Sequence, residues 1–384
     1  MMRLLYVCAD PGIPVLGHKG ASVHVRALAS ALAEAGASVV LATPRTEPEG
    51  EVLDERIELS AIDPVLPKSC RTAAELLRAV VHQRTQIREL ARRHAVDAMY
   101  ERYSLFSDGG VRAAAVRGVP HALEVNAPLR EEARRFRTLP YPETAAELER
   151  EVFARTDRIF AVSETLAELV RDDATAGKIE VVPNAVDPAE FKARPGPGGE
   201  LTIGFAGSLK PWHGVELLLE AFERALAVAP KLRLEIAGDG PERAAVERAR
   251  LPAEAFRYLG QLAHADTVHA MARWDVGVAP YLPMIRFYFS PLKLVEYMAA
   301  GVCPVASDNP EIRVLLGDGT RGVLFRPGSA GELAQAFVDL AREPERAAAI
   351  GARAREYALG SLSWQAVAER VLAVLGTKRS ERVA

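Results

Sequence analysis

A chain of 384 residues is too long for one ordinary domain and fits two of roughly 180 residues each. With 49% hydrophobic and 26% charged residues, it has a globular composition, which excludes a disordered or fibrous chain. The formal net charge of −3 provides no overall positive field, so we expect no nucleic-acid partner and only a local anion site.

The three cysteines, Cys8, Cys70 and Cys303, are widely spaced and form no metal-binding motif. Free thiols suit a reducing compartment, which predicts a cytoplasmic protein, soluble or loosely associated with a membrane. The apolar run at residues 4–9 is too short for a signal sequence and is interpreted as a buried parallel strand. No run of ~20 apolar residues predicts a membrane span.

Short apolar runs alternate with helical patterns through the first half of the chain. The predicted strands are residues 4–9, 38–42, 98–101, 122–125, 158–162 and 179–182, and the predicted helices are residues 23–35, 72–94, 109–116, 144–155 and 164–171. Strands that alternate with helices in this way indicate a parallel sheet.

A stretch rich in proline and glycine, residues 183–199, interrupts this pattern and is interpreted as a domain linker. The alternation then restarts, with strands at 201–206, 232–237, 256–259, 276–279, 302–306 and 322–325 and helices at 215–228, 242–249, 263–273, 293–300, 330–341 and 344–357. The fold class is therefore α/β, with two Rossmann-like doubly wound domains, residues 1–187 and 188–363. Ligands of such sheets bind beyond the carboxyl ends of the strands, so we expect the domains to face a cleft.

The last segment, residues 364–384, is expected to cross back to the first domain. Its helical pattern covers residues 364–375, and residues 378–384 are expected to be frayed because they are polar.

The most informative segment is residues 286–307. Ser290 suits a helix N-cap and Pro291 the first helical turn, so free N–H groups from Ser290 to Leu292 would point at any anion in the cleft. Lys293 adds a mobile positive charge at the end of the helix where a positive charge is unfavourable, which suggests that it balances the charge of a bound anion. Glu296 follows one turn later. From these features alone, an ordinary capped helix with a surface lysine and glutamate is an equally good interpretation.

This segment resembles the donor-binding signature of retaining glycosyltransferases of family 4, which are group 1 glycosyl transferases with the two-domain GT-B fold. Glu296, followed by Tyr297, Met298, Ala299 and Gly301, matches the second half of that signature. The resemblance implies that Glu296 holds the ribose hydroxyls of the nucleotide. Tyr288 stands where the family carries its first acidic residue, which leaves the identity of the transferred sugar open.

Further segments match the family in order along the chain. Residues 204–207 and Gly214 resemble the opening of its nucleotide domain, but Ser208 and His213 stand where the family usually has Arg and Lys. The resemblance implies that Lys210 neutralises the diphosphate in their place. Leu259 lies at the end of the strand whose backbone reads the base in that family.

Two segments of the first half also resemble the family. Gly17 and Gly20 belong to a glycine-rich loop that would let the backbone approach the diphosphate, with a merely flexible loop as the alternative. Asn126 stands where many members have a histidine beside the sugar, and it can hydrogen-bond a hydroxyl but carry no charge. Glu124, two residues earlier, is expected to point to the opposite side of the strand.

Several motifs are absent from the sequence. There is no Asp-x-Asp pair to hold a divalent ion on a diphosphate, no G-x-x-x-x-G-K-[ST] loop and no G-x-S-x-G elbow. We therefore expect no metal ion and no cofactor. Catalysis is assigned to Asn126, Lys210 and Lys293, whose charges and hydrogen bonds would stabilise the departing diphosphate and the sugar.

The resemblance implies glycosyl transfer from a nucleotide-sugar donor, with UDP favoured over GDP, to an acceptor hydroxyl that the sequence does not identify. A nucleotide-sugar epimerase or phosphorylase-like enzyme of the same architecture is an alternative, as is a degenerate transferase that only binds a partner. The arginine-rich amphipathic segment 71–93 would suit a peripheral contact with anionic lipid, or simply a solvated surface helix.

Overall fold

Two separate parallel sheets organise the chain in the computed structural model, which describes residues 1–17, 19–47, 52–192, 199–283, 287–288 and 290–383. One unit comprises Met1–Pro183 and Trp364–Ala384, and the other comprises Asn184–Ser363. The predicted division at 187/188 thus lies inside the second unit, because the Val186 N–H donates to the Leu362 carbonyl there. Residues 193–198 of the predicted linker lie outside the described residues.

The first unit contains a seven-stranded sheet. Its strands are β1 (Arg3–Cys8), β2 (Ser38–Thr43), β3 (Ile57–Ala61), β4 (Ala98–Arg102), β5 (His121–Val125), β6 (Arg158–Ala161) and β7 (Ile179–Val181). They are ordered β3-β2-β1-β4-β5-β6-β7, and each neighbouring pair is parallel. The order reverses between β1 and β4, so the carboxyl ends of these strands mark the expected ligand edge.

Six helices of the first unit connect these strands: α1 (Gly20–Glu34), α2 (Ala73–Arg93), α3 (Gly109–Arg117), α4 (Leu129–Phe136), α5 (Pro142–Arg155) and α6 (Glu164–Val170). The predicted helix at 72–94 is α2, and its start follows from local chemistry. Thr72 and Glu75 cap each other's backbone N–H groups in a capping box. Leu76, Val80 and Ile87 recur on one face of α2 and are buried.

The second unit repeats the architecture with a six-stranded parallel sheet. Its strands are β8 (Thr202–Ala206), β9 (Arg233–Ala237), β10 (Phe256–Gly260), β11 (Val276–Ala279), β12 (Cys303–Ser307) and β13 (Val323–Phe325), in the order β10-β9-β8-β11-β12-β13. Its helices are α7 (Val215–Leu226), α8 (Arg243–Glu247), α9 (His264–Met271), α10 (Leu292–Ala300), α11 (Pro310–Leu315), α12 (Ala330–Arg342) and α13 (Pro344–Ser361). The predicted fold class of two doubly wound α/β domains is confirmed.

The final helix, α14 (Trp364–Val383), belongs to the first unit. The expectation of a frayed end from residue 378 is wrong, because the helix continues to Val383. Ion pairs from Arg379 to Asp97 at 3.1 Å and from Arg382 to Asp157 at 2.7 Å hold its polar end against the first unit. Polar side chains therefore mark an attached helix here rather than a loose tail.

Glycines on two strands position α10 against the second sheet. A Cβ on Gly204 would overlap the Trp274 ring, and a Cβ on Gly277 would lie 2.5 Å from the Tyr297 ring. The absence of side chains at both glycines lets these large, fully buried rings lie directly on the sheet. The Tyr297 hydroxyl also accepts a hydrogen bond from the Ala206 N–H at 2.8 Å, which ties α10 to the end of β8.

Candidate functional site

The start of α10 differs from its sequence prediction. The helix begins at Leu292, and Pro291, rather than Ser290, occupies the N-cap position without a capping side chain. The Ser290 hydroxyl instead accepts a hydrogen bond from the Asn184 N–H at 3.0 Å. Among the residues described, the N–H groups of Leu292 and Lys293 have no acceptor, whereas those of Leu294 and Val295 bond to the Pro291 carbonyl. The helix therefore presents two free N–H groups at its positive end.

Lys293 is enclosed beside these N–H groups instead of being the mobile surface charge that the sequence suggested. Its residue is only 9% exposed, and its ammonium lies 4.2 Å from the Phe205 ring centroid and 5.4 Å from that of Tyr281. Nζ has no hydrogen-bond partner within the part of the chain that the structure describes. Burial lowers the pKa of Lys293 to about 7, against the opposing influence of Glu296. A buried ammonium that lies against aromatic faces and has no hydrogen-bond partner among the described residues would gain strongly from an anionic ligand.

Two glycine turns enclose the space around this ammonium. Gly207 follows β8 with a φ of +139°, and a Cβ there would lie 3.0 Å from Nζ of Lys293. Gly238 follows β9 with a φ of +142°, and a Cβ on it would collide with the Gly207 carbonyl. Both positions need glycine for backbone conformation and for space. At the carboxyl ends of β8 and β9, the groups that face the start of α10 are therefore backbone atoms of glycines rather than side chains.

Glu296 lies one turn after Lys293 on α10 and is half-buried. Burial raises the pKa of its carboxyl group to about 7; Glu190 adds to this shift, whereas His264 and Lys293 oppose it. Glu190 and His264 themselves form an ion pair of 3.0 Å. The helix therefore carries a cation and a carboxyl group with converging pKa values, which is typical of a functional site.

The structure brings His213 to the same cluster. Its ring packs edge-on against Tyr281, with centroids 5.5 Å apart, and its Nδ1 contacts the Ser208 carbonyl. Burial and the Lys293 ammonium lower the pKa of His213 to about 4, although the Ser208 carbonyl opposes the shift. His213 is therefore neutral at pH 7 and supplies no positive charge where the family usually has a lysine.

Lys210 and Ser208 lie farther out. Lys210 is half-exposed, with its ammonium 5.4 Å from the Trp212 ring centroid, and the Ser208 side chain is exposed. Lys210 still contributes to the lowered pKa of His213. Leu259 is partly buried near the end of β10 and packs on the apolar cluster that contains the α10 side chains. Of the predicted residues of this unit, Lys293 is the most fully enclosed cation.

In the first unit, Gly17 and Gly20 flank the start of α1. Gly17 is buried and its carbonyl accepts a hydrogen bond from Arg26 at 2.6 Å, while Gly20 is exposed as the first helical residue with open space where a Cβ would lie. Lys19 occupies the N-cap position without a capping side chain. The hydroxyl of Ser22, in the first turn of α1, is buried without a hydrogen-bond partner in the described chain. The start of α1, like that of α10, has no capping side chain.

Asn126 follows β5 at the carboxyl edge of the first sheet. Glu124 does not point away from Asn126 as expected, because side chains two residues apart on a strand share a face. The Glu124 carboxylate is buried and contacts His24 and Arg102, the latter at 3.3 Å. Burial opposes ionisation, but His24, Arg102 and the Asn126 carboxamide overcome it and lower the pKa of Glu124 to about 2.

The carboxamide of Asn126 lies beside the Glu124 carboxylate. Its Nδ2 is buried and lies close enough to that carboxylate to lower the pKa of Glu124, although it makes no hydrogen bond of acceptable geometry within the described residues. The Ser22 hydroxyl and the Lys293 ammonium are two of the buried polar atoms that have no partner within the described chain, and each lies in the first turn of a helix. Such atoms are uncommon in folded proteins and are expected where a ligand completes the bonding.

Comparison with known proteins identifies the family of this chain. Residues 18–190 match the family model described as Glycosyltransferase Family 4, and residues 200–343 match the model of Glycosyl transferases group 1. The chain belongs to the family 4 glycosyltransferases. The two matches together contain every proposed site residue except Gly17.

Curated relatives of this family 4 glycosyltransferase have names that concern inositol. The chain is 33% identical over 222 residues to "Phosphatidyl-myo-inositol mannosyltransferase" of Mycolicibacterium smegmatis, covering 56% of this chain and 56% of the relative. It is 27% identical to "D-inositol 3-phosphate glycosyltransferase" of Stackebrandtia nassauensis, covering 73% of this chain and 68% of that one. The chain thus spans little more than half the length of the first relative.

Solved structures support the fold. Sucrose-phosphate synthase from Thermosynechococcus elongatus aligns with a TM-score of 0.72 at 18% identity, covering 98% of this chain and 99% of that one. At this identity the likeness concerns the two-domain GT-B fold alone.

Two further properties of this glycosyltransferase come from the described part of the chain. It contains no group of three or more His, Cys, Asp or Glu side chains that could hold a metal ion. Across the same residues, every helix is too short or too polar to span a bilayer.

Sequence reasoning missed the residues that support the site. Asn184, which holds Ser290, is 106 residues away from it in sequence, and His24 reaches Glu124 from a different element. The period of two on β5 was the signal that could have placed Glu124 beside Asn126. No local pattern in the sequence predicts the contact between Asn184 and Ser290.

Proposed function

We propose that this chain transfers a glycosyl group from a nucleoside-diphosphate sugar, with UDP as the nucleotide, to an acceptor hydroxyl. The observation that carries the proposal is the buried Lys293 ammonium, which has no protein anion as hydrogen-bond partner and lies beside the uncapped N-terminus of α10. A diphosphate would supply the missing negative charge and accept hydrogen bonds from the Leu292 and Lys293 N–H groups. Family membership supports the same chemistry.

In the proposed reaction, the bond between the sugar and the diphosphate breaks and negative charge gathers on the departing phosphate oxygen. Lys293 and the α10 N–H groups stabilise that charge, and Lys210 contributes from a more exposed position. Asn126 offers its Nδ2 to a sugar hydroxyl, and Glu296 accepts hydrogen bonds from the ribose. No metal ion or cofactor takes part.

We further propose retention of configuration at the sugar carbon, as the family resemblance implies. The phosphate oxygen that leaves the sugar takes the proton of the acceptor hydroxyl, while the acceptor oxygen forms the new glycosidic bond on the same face. The balance of atoms requires no protein nucleophile and no separate general base. His213 is neutral and therefore adds no second positive charge beside Lys293 in this unit.

The acceptor belongs, in this proposal, to the inositol-bearing alcohols, and mannose is a candidate for the transferred sugar. Both suggestions rest on the names of curated relatives, one a phosphatidyl-myo-inositol mannosyltransferase and the other a D-inositol 3-phosphate glycosyltransferase. A guanosine donor is the matching alternative to UDP. Tyr288, in place of the family's acidic residue, is the position at which we expect sugar selection to differ.

A contact with anionic lipid through α2 would suit a lipid-linked acceptor. Leu77 and Val81 are 45% and 51% exposed on α2, next to the exposed Arg78 and Arg88. Arg84, in contrast, pairs with Asp108 of its own unit. Flotation with vesicles containing phosphatidylinositol tests this part, with an Arg78→Glu and Arg88→Glu double variant as comparison; a solvated surface helix would bind no vesicles in either form.

The proposal is tested by a thermal-shift panel of UDP, GDP and their glucose and mannose conjugates. A ligand at 100 times its Kd stabilises the folded state by about 2.7 kcal/mol, enough for a clear shift in Tm. Lys293→Met should weaken binding by roughly 10- to 150-fold, the range for a hydrogen bond to a charged group. Lys231→Met, an exposed lysine of the same unit, is the matched control. Lack of stabilisation by every nucleotide, or equal binding by the Lys293 variant, would overturn the proposal.

Product analysis separates the alternatives. Transfer gives a new glycoside only when acceptor is present, an epimerase changes the donor sugar without acceptor, and a phosphorylase-like enzyme requires phosphate. A degenerate binding module gives none of these products.

A further inference from the structure

The segment that opens the second unit lies along α10. Asn184 makes two contacts to Ser290, which directly precedes the helix: its backbone N–H donates to Oγ at 3.0 Å, and its Nδ2 donates to the carbonyl oxygen at 3.3 Å. Ser290 is only 8% exposed. The two donors thus fix the orientation of both the hydroxyl and the carbonyl group of this buried serine.

The same segment is also attached near the other end of α10. Val186 and Phe191 belong to the apolar cluster that contains Leu294, Val295 and Met298 of the helix. Arg355 bridges the two elements there, since its guanidinium donates to the Phe191 carbonyl at 2.7 Å and to the Ala299 carbonyl in the last turn of α10. The segment from Asn184 to Phe191 is therefore a brace along the helix rather than a loose tether.

The contact at Asn184 has a consequence for the anion-binding end. Serine is a preferred helix N-cap, and its hydroxyl commonly satisfies one of the free N–H groups of the first turn. In this chain the Ser290 hydroxyl is turned to Asn184, and α10 has no capping side chain. The N–H groups of Leu292 and Lys293 therefore stay available to a ligand.

We propose that Asn184 is a positioning residue, which directs Ser290 away from the helix end and so keeps the N-terminus of α10 open for the diphosphate. This inference rests on the proposed function of the same site. Asn184 need not touch the ligand, because it acts through Ser290 and the backbone that leads into the helix.

The test compares a nucleotide with its nucleoside. We expect Asn184→Ala to weaken binding of UDP or GDP by roughly three- to tenfold, the effect of losing a neutral hydrogen bond. Binding of uridine or guanosine, measured by competition, should not change, because the nucleoside lacks the diphosphate. Asn184→Asp removes the same Nδ2 donor and adds a negative charge near the anion site, so it should weaken nucleotide binding at least as strongly.

Two further variants keep the outcome decisive. In a Ser290→Ala background no hydroxyl remains that could turn to the helix end, so Asn184→Ala should then lower affinity for the diphosphate less than it does in the wild-type protein. Ser329→Ala removes a side-chain cap from α12 in the same unit and should lower Tm without changing either affinity. Equal loss of nucleotide and nucleoside binding in the Asn184 variants, or no loss of either, would overturn the positioning role. Failure of the wild-type protein to bind any nucleotide would instead refute the proposed function.

Discussion

At the residue scale, Lys293 and Glu296 share one turn of α10 and have pKa values displaced towards each other. Burial is the principal cause for both, lowering the pKa of the lysine to about 7 and raising that of the glutamate to about 7. Protonation of either residue is therefore sensitive to small changes near neutral pH. The proposed ligand requires the charged form of each, an ammonium for phosphate and a carboxylate for ribose.

Nucleotide affinity should consequently be highest near pH 7. Above that pH Lys293 loses its proton and its charge, and below it Glu296 gains a proton and accepts ribose hydrogen bonds less well. Calorimetric titration of UDP or GDP from pH 5.5 to pH 8.5, a range around these pKa values, measures both limbs. Lys293→Met should abolish the loss of affinity at alkaline pH. Glu296→Gln should abolish the loss at acidic pH, apart from the part that protonation of the phosphate itself causes. Unaltered profiles in both variants would contradict these assignments.

The ribose contact makes a separate prediction. Glu296→Ala should weaken nucleotide affinity by about 1.5–3 kcal/mol, the value of hydrogen bonds to a charged group, while the fold survives. The 2′-deoxynucleotide is the control ligand, since the wild-type protein should bind it less well than the ribonucleotide and the variant should bind both alike. Equal affinity of variant and wild-type protein for the ribonucleotide would disprove the contact.

Prediction from sequence placed Lys293 and Glu296 on one helix because both lie within a contiguous motif. Their roles as ligand contacts stay predictions. The prediction that Ser290 caps the helix was wrong because the hydrogen-bond partner of Ser290, Asn184, comes from a distant segment. The enclosure of Lys293 likewise depends on Phe205 and Tyr281, which belong to other elements.

At the element scale, the position of α10 depends on glycines that let aromatic rings reach the sheet. Gly277 on β11 faces the Tyr297 ring, and the Tyr297 hydroxyl accepts a hydrogen bond from the Ala206 N–H. The helix that carries the proposed anion site is thus positioned by contacts on its buried face.

Gly277→Ala should therefore destabilise the second unit by about 1–3 kcal/mol, the cost of overpacking a dense core. Gly360→Ala on α13 is the matched control, because a Cβ there meets nothing within 4 Å. It should be neutral or stabilise the protein by about 0.4–1 kcal/mol. Urea unfolding of both variants measures the difference, and a neutral Gly277→Ala would show that Tyr297 can move without cost.

Elements with a strong hydrophobic period were predicted, and those without one were missed. Strand β3 lies at the edge of the first sheet and has only Ile57 buried, so its sequence carries little apolar signal. Helix α4 buries only Ala133 and has charged residues along most of its length. Both owe their conformation to neighbours rather than to a local pattern.

At the scale of the whole molecule, the alternation of strands and helices was enough to predict two parallel α/β units. The strand orders reverse between β1 and β4 and between β8 and β11, as is usual for doubly wound parallel sheets. The boundary between the units was harder to predict from the sequence than their fold, because the segment from Asn184 onward is fixed by contacts to Ser290 and Leu362.

Activity should persist in excess EDTA, since the proposal assigns the diphosphate charge to Lys293, Lys210 and the α10 N–H groups. The measurement is glycosyl transfer before and after chelation, with Mn²⁺ or Mg²⁺ added back. Partial stimulation by an ion is compatible with faster release of the nucleotide. Complete loss with EDTA that a divalent ion restores would contradict the metal-independent mechanism.

The most direct test of the account is a crystal structure of the protein with the nucleoside diphosphate that binds best. We predict that the diphosphate lies at the N-terminus of α10, within hydrogen-bond distance of the Leu292 and Lys293 N–H groups and of the Lys293 ammonium, with the ribose on Glu296. A nucleotide bound elsewhere, with Lys293 still unpartnered, would contradict the central claim.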